Sequence, residues 1–237
     1  MHNLNDCLRA SEAHHRQLCP RQVLGVRMGL LAGRLLGLDL PRRDRRLLVI
    51  LEVDGCSVDG VIAATGCTPG RRTLRIEDYG KVAATFVDTH SGQAVRLVPH
   101  PLARAHAAAF ASGARTRWQA QLIGYQRLRD EQLFLVQPVA LNVPVERLIS
   151  HAGARARCGG CGEEILNERQ VRFGDSTVCR ACAGEAYYRV LPGESAGREL
   201  FDQRDATCDV SSLDATVVAL VEADSFALPA PEGVGQA

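Results

Sequence analysis

The N-terminal part of the chain carries a long apolar segment whose glycines are spaced like one face of a helix. The segment covers residues 20–37, and Pro20 suits the first position of a helix, where its missing N–H needs no partner. Glycine recurs at every fourth residue and forms a stripe along one face of the predicted helix: Gly25, Gly29, Gly33 and Gly37. Each of these glycines costs about 1 kcal/mol relative to alanine. We therefore expect another backbone to pack very close to the stripe.

Beyond residue 46 the apolar runs are short and are separated by turn residues, a pattern typical of strands with a few helices among them. Strands are predicted over residues 47–53, 74–76, 82–87, 94–98 and 132–139. Helices are predicted over residues 57–65, 102–110 and 115–128. One short helix separates the first two strands and hairpins follow, which favours an α+β fold over a doubly wound parallel sheet.

Composition and charge predict a core domain over residues 12–140, a small module over residues 155–190 and an acidic tail over residues 191–237. Residues 151–157 resemble a linker of small residues and arginine. Residues 1–190 carry 26 basic and 18 acidic side chains, whereas the tail carries 2 basic and 9 acidic ones, which is typical of a solvated segment. No run of 18 or more apolar residues occurs, which excludes a transmembrane helix. Residues 1–9 lack the pattern of a secretory signal, so a cytoplasmic protein is expected.

Nine cysteines, an odd number without a predicted secretory signal, argue against a disulfide framework. Four of them form two CxxC pairs that are 17 residues apart: Cys158, Cys161, Cys179 and Cys182. This spacing is typical of a zinc site in which two CxxC turns close a tetrahedron of thiolates around the ion. A module of about 30 residues cannot bury enough apolar surface to fold alone. The zinc is therefore expected to be structural and to supply folding free energy.

A second group of thiols lies at the starts of predicted helices. Cys19 directly precedes the helix of residues 20–37, His15 lies four residues earlier, and Cys56 stands at the start of the helix of residues 57–65. A thiol at a helix N-terminus is close to the positive end of the dipole, which lowers its pKa. We predict that these three residues share one pocket, which suits a soft divalent ion. Their spacing alone fits equally well with thiols that are buried as small apolar side chains.

Cys67 is a further candidate ligand with a geometric condition attached. A continuous helix from Cys56 to Cys67 would separate the two by about 16 Å, so they share a site only if the turn at Gly66 folds back. Without Cys67 the site keeps an open position, which is what a catalytic or transferable metal needs. The open site is the arrangement that we predict, with Asp59, one turn along from Cys56, orienting a water or a ligand.

Four ordered motifs resemble those of the formylmethanofuran dehydrogenase FmdE family, in which a CxxC…CxxC zinc ribbon often follows the core domain. The motifs are His15-Arg-Gln-Leu-Cys19-Pro20, Asp54-Gly-Cys56-Ser57-Val58-Asp59, Thr65-Gly66-Cys67-Thr68 and Asp78-Tyr79-Gly80-Lys81. The resemblance covers residues 12–188. It implies a core of helix, strand, helix and three strands, a homodimer, and a metal or reactive-cysteine site built from the first two motifs. The glycine stripe is a second reason to expect the homodimer.

The first motif departs from the family pattern, His-Gly-His-x-Cys-Pro-Gly. Gln17 stands in place of the second histidine, and Arg16 and Arg21 replace the two glycines. An amide is a poor ligand for a soft metal, so the resemblance implies an altered core site. The family name implies association with a molybdenum or tungsten enzyme, although the chain shows neither a pterin site nor an iron–sulfur cysteine run.

Three functions are compatible with these patterns. The first is a metal-binding accessory or subunit-like protein, with zinc in the ribbon and a second divalent metal in the core. The second is a small enzyme in which Cys56 or Cys67 is the nucleophile and Asp59, Tyr79 or Lys81 assists. The third is a zinc-ribbon regulator of nucleic acid, against which the net charge of +1 and the lack of interleaved aromatic residues argue.

Overall fold

The computed structural model of the chain describes residues 3–13, 15, 17–149 and 153–190. The chain divides into two compact units, Met1–Cys179 and Arg180–Ala237. The first unit contains these helices: α1 Leu4–Glu12, α2 Pro20–Leu36, α3 Cys56–Thr65, α4 Ala103–Phe110, α5 Arg117–Arg127, α6 Asp130–Leu133 and α7 Val145–Leu148. Its strands are β1 Leu47–Leu51, β2 Leu74–Ile76, β3 Ala84–Asp88, β4 Ala94–Pro99, β5 Phe134–Pro138, β6 Arg155–Arg157, β7 Glu164–Leu166, β8 Val171–Phe173 and β9 Ser176–Val178. The second unit begins with a π-helical turn, Ala181–Glu185, and the predicted acidic tail with Cys208 lies outside the described residues.

A five-stranded mixed sheet forms the core, in the order β2-β1-β3-β4-β5. Strands β1 and β2 are parallel, with Val49 opposite Leu74, and the remaining neighbours are antiparallel. Every residue of β3 is buried, as expected for the central strand of a sheet that is covered by helices. The prediction of an α+β fold is confirmed. The three-part domain division of the sequence analysis stays a prediction.

Helix α2 packs against α3 at a distance that only glycine allows. A Cβ atom at Gly25 would lie 2.1 Å from the carbonyl oxygen of Ser57, and a Cβ at Gly60 would lie 2.2 Å from the carbonyl oxygen of Gln22. The expectation that another backbone packs closely on the glycine stripe is therefore confirmed, and the partner is α3 of the same chain. The stripe is thus no evidence for a homodimer, because its face is already covered.

The sequence analysis was wrong about two element boundaries and did not predict α1. Residues 130–133, predicted as the start of a strand, form the short helix α6, because the side chain of Gln132 accepts a hydrogen bond from the N–H of Arg129 and closes a helical turn. Residues 155–157, predicted as part of a linker, form β6, which pairs with β7. Helix α1 is amphipathic and buries Cys7, Leu8 and Ser11.

Arg27 joins α2 to the end of α5, although it interrupts an apolar helix in the sequence. Its guanidinium group donates to the carbonyl oxygens of Tyr125 and Leu128, each at 2.8 Å, and to Oδ1 of Asp130 at 2.7 Å. The carbonyl groups at the end of a helix lack partners inside it. The arginine therefore satisfies the C-terminus of α5 and fixes it against α2. Among the described residues no helix has both the length and the apolar character that crossing a membrane requires.

Candidate functional site

The four cysteines of the two CxxC pairs converge at the end of the described chain. The sulfur atoms of Cys158, Cys161, Cys179 and Cys182 all lie within 4.8 Å of one another. The sulfur atoms of Cys161 and Cys179 are 4.0 Å apart. A tetrahedral zinc with Zn–S bonds of about 2.3 Å requires sulfurs about 3.8 Å apart. The donor set and its spacing therefore fit one tetrahedral thiolate-bound ion.

Two β-hairpins hold the first three of these cysteines. Cys158 directly follows β6 and Cys179 directly follows β9, so each strand end delivers one sulfur. The N–H of Gly159 donates to the carbonyl oxygen of Thr177 at 2.9 Å and joins the two hairpins beside the site. Gly162, with φ of +78°, turns the chain back into β7. The glycines of the CxxC segment thus allow the tight turns that bring the thiols together.

Backbone N–H groups point at the sulfur of Cys158. The N–H of Cys179 donates to this sulfur at 3.2 Å and the N–H of Gly160 at 3.4 Å. The backbone N–H of Cys161 and then that of Cys179 lower the pKa of Cys158 to about 6. Hydrogen bonds to the charged form favour it, and the thiolate is the form that binds a metal.

In the core, the crossing of α2 and α3 brings two further cysteines together. Cys19 is the N-cap residue of α2, and Cys56 is the first residue of α3. Gly55, the N-cap of α3, has φ of +90° and ψ of −160°, a conformation that is essentially restricted to glycine. Both thiols are half-buried and neither forms a disulfide, and Cys19 contributes to raising the pKa of Cys56. The two helix starts therefore form one site.

The expected direction of the pKa shift at Cys56 is wrong. Burial, followed by the hydrogen bond with the neighbouring Cys19, raises the pKa of the Cys56 thiol, and the positive charge of Arg21 opposes this only in part. A helix N-terminus lowers the pKa of a thiol that faces solvent. At Cys56 the loss of solvent outweighs that effect.

His15 reaches the same end of α3 through an acidic partner. Its Nε2 lies 2.6 Å from Oδ2 of Asp59, and both side chains are about 30% exposed. Asp59 and Cys56 are three residues apart in the first turn of α3 and so share a face of that helix. When Nε2 donates to the carboxylate, Nδ1 becomes the free ligand atom of the imidazole. A carboxylate that orients a histidine in this way is typical of metal sites.

The buried amide of Gln22 holds the loop between α1 and α2, and the sequence analysis did not identify it. The N–H of Cys19 donates to Oε1 of Gln22 at 2.9 Å. Its Nε2 in turn donates to the carbonyl oxygen and to the hydroxyl of Ser11, at 2.8 and 3.0 Å. Gln22 is fully buried. The signal was present in the sequence, because a glutamine three residues after an N-cap is the second half of a capping box.

The remaining candidates lie elsewhere. Cys67 is buried beyond the far end of α3, a helix of ten residues that spans about 15 Å, and its thiol donates to the carbonyl oxygen of Leu47 at 3.4 Å. Tyr79 and Lys81 lie in the loop after β2, where both backbone N–H groups donate to the carbonyl oxygen of Glu52 at 3.0 Å. Nζ of Lys81 lies 6.0 Å from the centre of the Tyr79 ring. Because β1 and β2 are parallel, this loop and the segment that leads to Cys56 are at the same edge of the sheet.

The structure thus arranges the predicted core ligands as two pairs, Cys19 with Cys56 and His15 with Asp59. Within residues 3–13, 15, 17–149 and 153–190, the ribbon cysteines are the group whose ligand atoms all lie within 4.8 Å of one another, and the core residues do not form such a group. Gln17, which stands in place of a family histidine, is exposed. The core donors are gathered at the first turn of α3 without forming a closed ligand set.

Comparisons with known proteins match these features. A family model described as "FmdE, Molybdenum formylmethanofuran dehydrogenase operon" matches residues 14–137, a range that contains both core pairs. A protein of Archaeoglobus fulgidus, named "Probable S-adenosyl-L-methionine-binding protein", is 31% identical over 207 residues, which are 78% of this chain and 54% of the relative. The chain therefore spans about half the length of that relative. The crystal structure of an FmdE-like protein of tungsten formylmethanofuran dehydrogenase, from Syntrophus aciditrophicus, is similar over 79% of this chain and 96% of that one, with 21% identity and a TM-score of 0.48.

Proposed function

The chain belongs to the FmdE family, and from this premise we propose that it is a metal-binding accessory protein with structural zinc in the ribbon and a second divalent metal in the core. The observation that carries the proposal is the convergence of the four ribbon sulfurs within 4.8 Å. Four thiolates around one ion form a closed site, in which no position is left for a substrate. The role of the ribbon zinc is therefore to fold its module.

The core site is proposed to hold its metal through Cys19, Cys56 and Nδ1 of His15, with Asp59 orienting the imidazole. The donors fit a soft divalent ion, since two sulfurs and one imidazole nitrogen are the ligand types that zinc prefers. Cys67 lies at the other end of α3 and is left out of this set. A metal with three protein ligands keeps one position for an exchangeable ligand, which a closed site lacks.

Two polar side chains beside the core pair hold its ligands in position. Gln22 fixes the backbone of Cys19 through its hydrogen bonds to Cys19 and Ser11. Asp59 holds the proton on Nε2 of His15 and so directs Nδ1 towards the metal. A small movement of the loop at residues 15–19 then brings the imidazole and the two sulfurs to metal-binding distance.

We further propose that the protein acts with a molybdenum or tungsten enzyme, as the family description suggests, and that it forms a homodimer. Strand β5 is the last strand in the order of the sheet and exposes Leu135 and Val136. An exposed apolar edge strand is a natural place for a second copy to pair. None of the eight cysteines in the described residues forms a disulfide, which fits a protein that works in the cytoplasm.

The test is the metal content of the purified full-length chain, measured by inductively coupled plasma mass spectrometry. We expect two metals per chain in the wild type, one in Cys19→Ala and one in Cys161→Ser. The matched control is Cys67→Ala, which removes a buried thiol outside both sites and is expected to keep two metals.

A content of one metal in both the wild type and Cys19→Ala would mean that only the ribbon binds and would refute the core site. A content that stays unchanged in Cys161→Ser would refute the ribbon site.

A small cysteine-dependent enzyme is the second candidate, because Cys19 and Cys56 lie together near the edge of the sheet where Tyr79 and Lys81 also lie. The raised pKa of Cys56 argues against an activated nucleophile in the free protein. The rate of alkylation by iodoacetamide at pH 7, followed residue by residue, separates the two functions. A Cys56 that reacts faster than the exposed thiol of a model peptide would support the enzyme.

A further inference from the structure

A cavity of about 260 Å³ lies beside the core cysteines and contains no acidic side chain in its wall. It is formed by the first residues of α2, the loop after β2, the end of β4, the start of α4 and one face of α5. Two arginines, Arg21 from α2 and Arg104 from α4, line it. The cavity is close to the lower end of the range for small-molecule sites, which limits a ligand to a small molecule.

The two arginines differ from others in the described structure because their charges are not neutralised. Arg46 and Arg96 each form an ion pair with a carboxylate, and Arg27 is paired with Asp130. Neither Arg21 nor Arg104 has a carboxylate within 4.0 Å among the described residues. Two unneutralised guanidinium groups at one cavity create a local positive potential, which attracts an anion.

The other polar groups of the cavity wall add donors to this potential. Tyr125 is 3% exposed, and Arg104 hydrogen-bonds to its side chain, so the guanidinium group is held at the wall. Nδ1 of His100 accepts the N–H of Leu102 at 3.0 Å, which leaves Nε2 as the atom of the neutral ring that carries the proton.

The rest of the wall is apolar and includes Pro20, Leu24 and Val82. This combination suits a ligand with a small apolar body and one anionic group.

We propose that this cavity binds a small organic anion, whose carboxylate or phosphate is held by Arg21 and Arg104 and whose body packs against Pro20 and Val82. Guanidinium groups match both kinds of anion, because their N–H donors form a planar fork. The bound molecule lies next to the core site, since Arg21 follows Cys19 by two residues and its charge acts on Cys56. The proposal does not depend on a metal in the core.

The experiment is a titration of the full-length protein followed by NMR of the added ligand, at low ionic strength because salt screens exposed charges. The probes are benzoate, inorganic phosphate and benzamide, the last of which has the shape of benzoate without its charge. We expect benzoate or phosphate to bind more tightly than benzamide. The tighter of the two anions identifies the group as a carboxylate or a phosphate.

The variants Arg21→Gln and Arg104→Gln are each expected to weaken binding of the preferred anion about fivefold, the factor for one charge contact near water. Benzamide binding is expected to stay the same in both. Arg43→Gln is the matched control, because Arg43 is far along the chain from the cavity residues and outside the cavity wall, and it is expected to leave binding unchanged. Equal binding of benzamide and both anions would overturn the proposal, and so would an equal loss in all three variants.

Discussion

Gly60 is the residue at which a single added carbon should separate α2 from α3. In Gly60→Ala the new Cβ would lie 2.2 Å from the carbonyl oxygen of Gln22 and 2.8 Å from the backbone nitrogen of Val26. Both neighbours are backbone atoms inside a helix, so neither can rotate away as a side chain could. The helices must move apart by about 1 Å to restore van der Waals contact.

Two effects of opposite sign set the magnitude. Overpacking in a well-packed core costs about 1–3 kcal/mol, whereas alanine is favoured over glycine inside a helix by about 1 kcal/mol. Overpacking prevails, because the added atom meets backbone at less than 3 Å. We expect the free energy of unfolding to fall by about 1–2 kcal/mol. The movement also displaces Gln22, which holds Cys19, so the core metal should be lost before the ribbon metal.

Urea unfolding, followed by far-ultraviolet circular dichroism, measures the first effect, and metal content measures the second. The control is Gly70→Ala, because Gly70 has open space where the Cβ would lie and lacks a positive φ. That variant should match the wild type or be slightly more stable. A Gly60→Ala protein that is as stable as the wild type would show that the two helices are not in backbone contact in solution.

Three further outcomes are expected. Asp88→Asn should lower the free energy of unfolding by about 1–3 kcal/mol at pH 7, because the Arg46 guanidinium holds the pKa of this buried carboxyl well below its usual range. A lowered pKa stabilises the folded state above the unfolded value of about 4, so the difference between the variant and the wild type should vanish as the pH falls below it in acid-unfolding curves. Asp59→Asn should weaken binding of cobalt(II) at the core about 10–100-fold, read from its visible absorption, whereas Asp78→Asn should leave it unchanged; equal affinities would remove Asp59 from the site. Cys161→Ser should unfold the ribbon and spare the core, so amide hydrogen exchange should rise in residues 155–182 alone, and a rise throughout the chain would contradict separate modules.

The sequence by itself determined the elements with strong local signals. Pro20 and Gly37 bound α2 as predicted, since proline begins a helix without losing a hydrogen bond and the φ of +63° at Gly37 ends it. The CxxC spacing predicted the ribbon cluster, because a few residues of tight turn fix where two sulfurs can go. These features depend on chain-local geometry, and their outcome needed no knowledge of distant residues.

Tertiary structure decided what distant residues do to one another. The glycine stripe predicted a close partner without naming it, and only packing shows that α3 occupies that face. The pKa of Cys56 rises because its thiol is buried beside Cys19, a pairing of residues far apart in the chain that no local pattern contains. The arginine-lined cavity brings together Arg21 and Arg104 for the same reason. Spacing along a chain specifies which groups lie close within a turn, whereas burial and charge at a site depend on the three-dimensional neighbours that the fold provides.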